Sequence, residues 1–126
     1  MKAILDTSLL IATEVQPLDG ELAISTASLA ELHFGVLVTT DASVRAERLR
    51  RLSELQRKFD ALPVDDDVAT SYGQLAAAVV AAGRQPRARV MDLLIASTAH
   101  AHSARLYTRN AAGLTGIEHL VEIVSV

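Results

Sequence analysis

The chain has 126 residues, of which 50% are hydrophobic, and it carries a formal net charge of −3 and no cysteine. These values exclude a disordered or repetitive chain and cysteine-based zinc, disulfide or nucleophile chemistry, and they argue against a general nucleic-acid coat protein. No apolar run approaches the roughly 20 residues of a membrane span, so we expect one soluble, cytoplasmic domain over residues 1–126.

The first apolar run, residues 3–5 (Ala-Ile-Leu), predicts a strand buried on both faces, because it is too short for a helix and lacks polar alternation. The run stops at Asp6, and a short helix is expected over residues 9–12, ending before Pro17. Ligand sites in open α/β sheets lie just beyond the carboxyl ends of the strands. Asp6 is therefore a candidate functional group.

The next elements are a strand over residues 22–25 and a helix that Ser28 and Glu31 open in the pattern of a capping box. Residues 42–58 form the clearest amphipathic helix. Its narrow apolar stripe consists of Leu49, Leu52, Leu55 and Phe59. This pattern predicts a helix with one face docked on the core or awaiting a partner.

A weak strand follows over residues 60–64, and Pro63 favours an edge position for it. The three aspartates 65–67 supply an N-cap and dipole-matched charge for a helix through Ala82, which Gly83 ends.

An arginine-rich loop, residues 83–89, leads to a segment over 91–99 that is apolar nearly all round except for Asp92, which predicts a buried helix. Strands over 104–108 and 121–124 complete the pattern. Strands that alternate with helices indicate the α/β class, here a three-layer α/β/α sandwich with a mostly parallel sheet.

Three acids lie in apolar settings: Asp6, Glu31 and Asp92. Each has a purely structural interpretation, as an N-cap, a capping-box partner, or an ion-pair partner of Arg89 or Arg87. All three, however, follow the same predicted sheet edge and could converge there. Crowded carboxylates repel one another unless a cation compensates. Mg²⁺ or Mn²⁺ would answer that need and would suit phosphodiester hydrolysis.

The region between residues 84 and 109 contains five arginines and the single acid Asp92. One interpretation is a solvated loop. The other is that Arg84, Arg87 and Arg89 bind RNA phosphates.

Four segments carry a resemblance to a known family: residues 4–8 (Ile-Leu-Asp-Thr-Ser), 28–35 (Ser-Leu-Ala-Glu-Leu-His-Phe-Gly), 89–96 (Arg-Val-Met-Asp-Leu-Leu-Ile-Ala) and 106–110 (Leu-Tyr-Thr-Arg-Asn). In their order and spacing the sequence resembles the PIN-domain ribonucleases, and among them the VapC-type toxins. The resemblance implies a five-stranded sheet of order 3-2-1-4-5 and an RNA substrate. It also implies a homodimer, a VapB-like antitoxin as partner, and a magnesium or manganese site. The implied metal-binding catalytic acids are Asp6, Glu31 and Asp92.

The chain departs from the family pattern at Gly113, where these proteins commonly carry a further aspartate. Asn110 could instead hold a metal-bound water, or could serve only as an N-cap. Thr7, Ser8 and Thr108 could orient the acids or satisfy local backbone. An alternative function follows, a PIN-fold binding module that has lost catalysis and acts by dimerisation and by binding RNA or antitoxin.

Two other classes open with a strand-end aspartate and fit the sequence less well. The pattern of dehalogenase-type phosphatases is Asp-x-Asp. With Asp6 as its first aspartate, the second would be residue 8, which is serine here. A receiver-like signalling domain predicts a second acid adjacent to the first-strand aspartate and a lysine after the last strand, and the sequence has neither.

Overall fold

The computed structural model describes residues 1–11 and 17–126. Five strands form one sheet of order β3-β2-β1-β4-β5, and every neighbouring pair is parallel. The strands are β1 (Lys2–Leu5), β2 (Glu21–Ser25), β3 (Asp60–Leu62), β4 (Arg105–Thr108) and β5 (Ile123–Ser125). The predicted strand order is confirmed, as is the edge position of β3.

Helices connect the strands, as parallel pairing requires. They are α1 (Thr7–Leu10), α2 (Thr26–Val38), α3 (Ala42–Lys58), α4 (Asp66–Ala81) and α5 (Val90–Ala101), with 3-10 helices at Pro86–Arg89 and Ala111–Leu114. The predicted start and end of α4 are confirmed, since Asp65 accepts a hydrogen bond from the amide of Val68 and Gly83 adopts φ +79°. No helix of the described ranges has the length and apolarity needed to cross a bilayer.

The two faces of the sheet bury separate hydrophobic clusters, because successive strand residues point to opposite sides. Ile4 packs with Leu75 of α4 and Leu93 of α5 on one face. Leu5 packs with Leu55 of α3 on the other. Each such buried side chain contributes about 1.5–3 kcal/mol. The central strand β1 is thereby enclosed on both sides, as its continuous apolar run predicts.

Two predictions about the helices on the second face are corrected. The α2 helix begins at Thr26, and its N-cap is Ser25, which accepts a hydrogen bond from the amide of Ala27; the predicted capping box of Ser28 and Glu31 is therefore wrong. In α3, Leu52 and Leu55 are buried but Leu49 is 51% exposed. The docked stripe is therefore shorter than predicted, because α3 extends past the elements it packs on.

The short helix predicted over residues 9–12 corresponds to α1, which starts earlier and ends at Leu10. Ala12 lies outside the described residues.

Candidate active site

Asp6 follows β1 directly and is 8% exposed. It occupies the N-cap position of α1, but its side chain makes no capping hydrogen bond. Its Oδ2 instead accepts hydrogen bonds from the hydroxyls of Thr108, at 2.5 Å, and Ser8, at 3.0 Å. Within the described chain no group donates to Oδ1, so one oxygen of this buried carboxylate remains for a ligand.

The two hydroxyls that hold Asp6 are themselves oriented by the loop after β4. The amide of Asn110 donates to Oγ1 of Thr108 at 3.0 Å, and the amide of Arg109 donates to Oγ of Ser8 at 3.1 Å. With their acceptor sides occupied, both hydroxyls point their protons at Asp6. Each hydroxyl therefore accepts from a backbone amide and donates to Asp6.

Glu31 lies in the second turn of α2, half-buried, and faces α1. The hydroxyl of Thr7 lies 2.8 Å from its Oε1 and 2.9 Å from Oγ of Ser28. Burial raises the pKa of Glu31 above its usual 4.5, the hydrogen bond from Thr7 opposes that rise, and the charges of Asp92 and Asp6 add to it. Ser28 thus contacts the hydroxyl that bonds to Glu31, which the predicted capping box did not indicate.

Asp92 lies in the first turn of α5, with its side chain 33% exposed. Burial, followed by the charge of Asp6, raises its pKa above the usual 3.8. Arg89 opposes that rise through its positive charge and its side-chain contact with Asp92, in which Nη1 stands 3.7 Å from Oδ2.

The helices that carry Glu31 and Asp92 are tied together in the protein interior. Thr98 of α5 donates a hydrogen bond of 3.1 Å to Oγ of Ser25, the N-cap of α2, and both residues are fully buried. This contact sets the start of α2 against the middle of α5. The three acids lie near enough for the charges of Asp92 and Asp6 to raise the pKa of Glu31, and for the charge of Asp6 to raise that of Asp92.

Within residues 1–11 and 17–126, no three acids or histidines stand close enough together to enclose one metal ion. Mg²⁺ keeps several of its waters, however, and usually takes only one or two carboxylates. Oδ1 of Asp6 and the carboxylate of Asp92 are hard oxygen donors of that type. The donor set therefore fits a partly hydrated Mg²⁺ or Mn²⁺ better than a metal held by protein atoms alone.

A family model, the PIN domain, matches residues 3–112. The chain belongs to the PIN-domain family. Among curated relatives, Ribonuclease VapC5 of Mycobacterium tuberculosis is 37% identical over 131 residues, which cover 98% of this chain and 94% of that protein. Ribonuclease VapC8 of the same species is 36% identical over 100 residues, covering 76% of this chain and 88% of that protein. The predicted resemblance to VapC-type PIN-domain ribonucleases is thereby confirmed.

Solved structures agree with this assignment. The crystal structure of VapBC-5 from Mycobacterium tuberculosis, a member of the VapBC family of toxin–antitoxin systems, matches with a TM-score of 0.85 and 34% identity, covering 99% of this chain and 98% of that one. VapBC2 from Rickettsia felis, bound to a DNA fragment, matches with a TM-score of 0.79 at 22% identity over 99% and 98% of the two chains. The second match supports the PIN fold alone.

Gly113, the departure from the PIN-domain pattern, lies in the 3-10 helix after β4. Its φ is not in the left-handed region, so the backbone does not require glycine there. A Cβ at this position would stand 3.1 Å from Nδ2 of Asn110 and 3.2 Å from Nη1 of Arg89. Asn110 occupies the N-cap position of the 3-10 helix, but its side chain makes no capping bond.

The three arginines of the 83–89 loop are all exposed, but they do not all line one pocket. Arg84 and Arg89 line the same pocket beside Gly113, whereas Arg87 lies outside that lining. The proximity of Arg89 to Gly113 could not be predicted from the sequence, because the two residues belong to separate loops and no motif connects them.

Proposed function

We propose that this VapC-type PIN-domain protein is a metal-dependent endoribonuclease toxin whose catalytic acids are Asp6, Glu31 and Asp92. The observation that carries this proposal is the state of Asp6. This deeply buried carboxylate accepts hydrogen bonds from two hydroxyls through Oδ2, and no residue that the structure describes donates to Oδ1. An acid that served only as a helix cap would spend its oxygens on backbone amides.

The three acids divide the chemistry according to their surroundings. Oδ1 of Asp6 and the carboxylate of Asp92 would hold Mg²⁺ or Mn²⁺, which lowers the pKa of an attacking water and stabilises the leaving oxygen when bound. Glu31 is held by the hydroxyl of Thr7, and its raised pKa suits a role as proton acceptor for that water. We propose that four further residues help to position these acids: Thr7, Ser8, Thr108 and Asn110.

Incubation of the purified protein with total RNA tests this function. We expect cleavage with Mg²⁺ or Mn²⁺, none in EDTA, and mapped ends that fall at a limited set of sites. Asp6→Asn is the matched inactive control, because the amide keeps the shape and one acceptor oxygen but loses the charge. Cleavage that persists in EDTA, or in Asp6→Asn, would refute the metal-dependent acid mechanism.

A cognate VapB-like antitoxin is the proposed partner. An apolar groove between α2 and α3, with a volume of about 500 Å³, is lined by Leu32, Leu52 and Leu55 and extends to Thr7 and Glu31. A segment bound there would end beside the catalytic acids and could shield them from metal and RNA. Loss of cleavage on adding the antitoxin, together with loss of that inhibition in a folded Leu32→Asp variant, would support this surface, because Leu32 lines the groove and is only partly buried.

We also propose the homodimer that the family resemblance implies. Phe34 and Leu37 of α2 are 67% and 72% exposed and offer an apolar surface for it. Light scattering at several protein concentrations tests this state. A monomer at every concentration would remove the dimer from the proposal.

The second candidate function is a binding module that keeps the PIN fold without catalysis. Gly113 favours it, because glycine provides no carboxylate where the family commonly has one. The cleavage experiment separates the two functions. A folded protein that binds RNA but leaves it intact at every metal concentration would be the module.

A further inference from the structure

A pocket of about 180 Å³ lies between the end of α4, the start of α5 and the two 3-10 helices. Leu93 and Leu114, both buried, form its apolar floor, while Arg84, Gln85 and Arg89 stand at its polar side. Since one water occupies about 30 Å³ of liquid volume, the pocket has room for a group of several heavy atoms. It adjoins the acidic site through Arg89, which approaches Asp92.

Arg89 is placed to bind an anion here. Its side chain is 43% exposed, and its nearest carboxylate in the described chain, on Asp92, stands 3.7 Å away. This one ion pair engages only part of the guanidinium, which has five N–H donors in a planar fork. A partly exposed guanidinium of this kind is the side chain best matched to the two oxygens of a phosphate.

The backbone of Arg84, which also lines the pocket, is held by the end of α4. Its amide donates to the carbonyl of Val79, and the amide of Gly83 donates to that of Val80. These two bonds, with Gly83 at φ +79°, form a Schellman motif. The motif satisfies the helix carbonyls and holds the backbone of Arg84 at the pocket, so that only its side chain remains to be ordered by a ligand.

Gly113 keeps the pocket open. A Cβ there would stand 3.1 Å from Nδ2 of Asn110 and 3.2 Å from Nη1 of Arg89, both tighter than most Cβ contacts. Because φ of Gly113 is not left-handed, the need for glycine is one of space and not of backbone conformation. A side chain at position 113 would take up space in the pocket, and the ends of Asn110 and Arg89 would have to give way by a few tenths of an ångström.

We infer that this pocket binds one backbone phosphate of the RNA, next to the bond that is cut, through Arg84 and Arg89, and that Gly113 preserves the room for it. The inference rests on the proposed ribonuclease function and adds a subsite to it. The carboxylates of the proposed active site repel RNA phosphates. The positive charges of Arg84 and Arg89, next to that site, offset this repulsion. Arg87 belongs to the same basic loop but takes no part.

The test is metal-free binding, where cleavage cannot interfere. A fluorescently labelled single-stranded RNA of eight nucleotides is titrated in EDTA and followed by anisotropy at several salt concentrations. We expect Arg84→Gln and Arg89→Gln each to weaken binding by about tenfold, the size of one charge-assisted contact. Each should also reduce the salt slope by about 0.7. Arg87→Gln is the matched control and should leave both quantities unchanged.

Gly113→Asn adds a side chain without adding charge, and it should weaken metal-free binding as Arg89→Gln does. The double variant, Gly113→Asn with Arg89→Gln, should bind RNA little more weakly than either single variant, because both changes remove the same contact. Melting temperatures check that each protein is folded, and the arginine variants decide the matter if Gly113→Asn is not.

The outcomes separate this inference from the proposed function. Equal losses in Arg87→Gln and Arg89→Gln would mean a diffuse basic loop and would overturn the pocket. Wild-type affinity for RNA in both Arg84→Gln and Arg89→Gln would also overturn the pocket, even if the protein cleaves RNA. If the pocket variants lose affinity but no RNA is cut with metal, the subsite stands and the nuclease proposal fails.

Discussion

The hydroxyl of Thr108 donates a 2.5 Å hydrogen bond to Oδ2 of Asp6, which joins the ends of β4 and β1 across 102 residues of sequence. The bond follows from sheet register. Leu5 is paired with Tyr107, so the next residue of each strand emerges side by side at the carboxyl edge. Two parallel strands thereby bring the proposed catalytic acid and its hydroxyl donor together.

Thr108→Val keeps the shape of this fully buried side chain and removes the hydroxyl. We expect unfolding in urea to show a loss of about 1–3 kcal/mol, because a buried acceptor on Asp6 and the amide of Asn110 both lose a partner. Cleavage should fall as well. The matched control is Thr70→Val on the exposed surface of α4, which should change stability by less than about 0.5 kcal/mol. Equal effects in the two variants would contradict a special role for the Asp6 contact.

The three acids should behave as one catalytic unit. We expect Asp6→Asn, Glu31→Gln and Asp92→Asn each to lower the cleavage rate by at least about 100-fold, the usual scale for loss of a general base or charge stabiliser. Double variants should be little worse than the single ones, since effects within a unit are not additive. Rates measured with saturating Mg²⁺ on one defined RNA test this. Near-wild-type cleavage by any single variant would remove that residue from the set.

The raised pKa values of Glu31 and Asp92 predict how stability depends on pH. Between its usual pKa (4.5 for Glu31, 3.8 for Asp92) and its raised value, each acid keeps its proton in the folded state but loses it in the unfolded chain. The folded state then binds more protons, so stability falls as pH rises through this window and stays lower above it. In metal-free buffer, Glu31→Gln and Asp92→Asn should therefore melt higher than wild type near neutral pH. This gain should shrink as the pH falls toward the usual values.

Glu47 supplies the control for that experiment. A hydrogen bond from Arg50 lowers the pKa of Glu47, so its contribution has the opposite sign and is lost as pH falls. Glu47→Gln should bring no gain at neutral pH. A lower melting temperature in both Glu31→Gln and Asp92→Asn at neutral pH would show that partners stabilise these carboxylates when charged.

Metal should stabilise the folded protein by mass action. A metal at 100 times its dissociation constant adds about 2.7 kcal/mol if it binds only the folded state. Melting temperature should therefore rise with millimolar Mg²⁺ or Mn²⁺, and the rise should shrink in Asp92→Asn. Asp66→Asn, in the exposed acidic run that begins α4, should keep the full rise. The site would be ruled out by an unchanged melting temperature in the wild type, or by an equal loss in Asp66→Asn.

Restoring the family's acid at position 113 should not by itself restore a metal ligand. Its carboxylate would be attached beside Nη1 of Arg89, only 3.2 Å from the Cβ position, and should form an ion pair there. We therefore expect Gly113→Asp to cleave RNA no faster than wild type. Only in the Arg89→Gln background should the new acid lower the metal concentration needed for half-maximal rate. A faster Gly113→Asp single variant would mean that the acid reaches the metal despite Arg89.

The order and type of most elements could be predicted from the sequence, because these depend on local patterns. The apolar run before Asp6 predicted the central strand, the aspartates at 65–67 predicted the start of α4, and Gly83 predicted its end. The resemblance to the PIN-domain ribonucleases added the strand order and the three acids as a set. Each of these signals spans only a few neighbouring residues or a known motif.

Only the tertiary structure decided which polar groups meet. Local sequence allowed Ser28 to cap α2, but Ser25 does so, because Ser28 is buried against α1, where Thr7 contacts it. Local sequence also could not show that Arg89 lies over Gly113. Contacts of this kind depend on where separate loops cross in space, and the packing of the helices on the sheet determines that position.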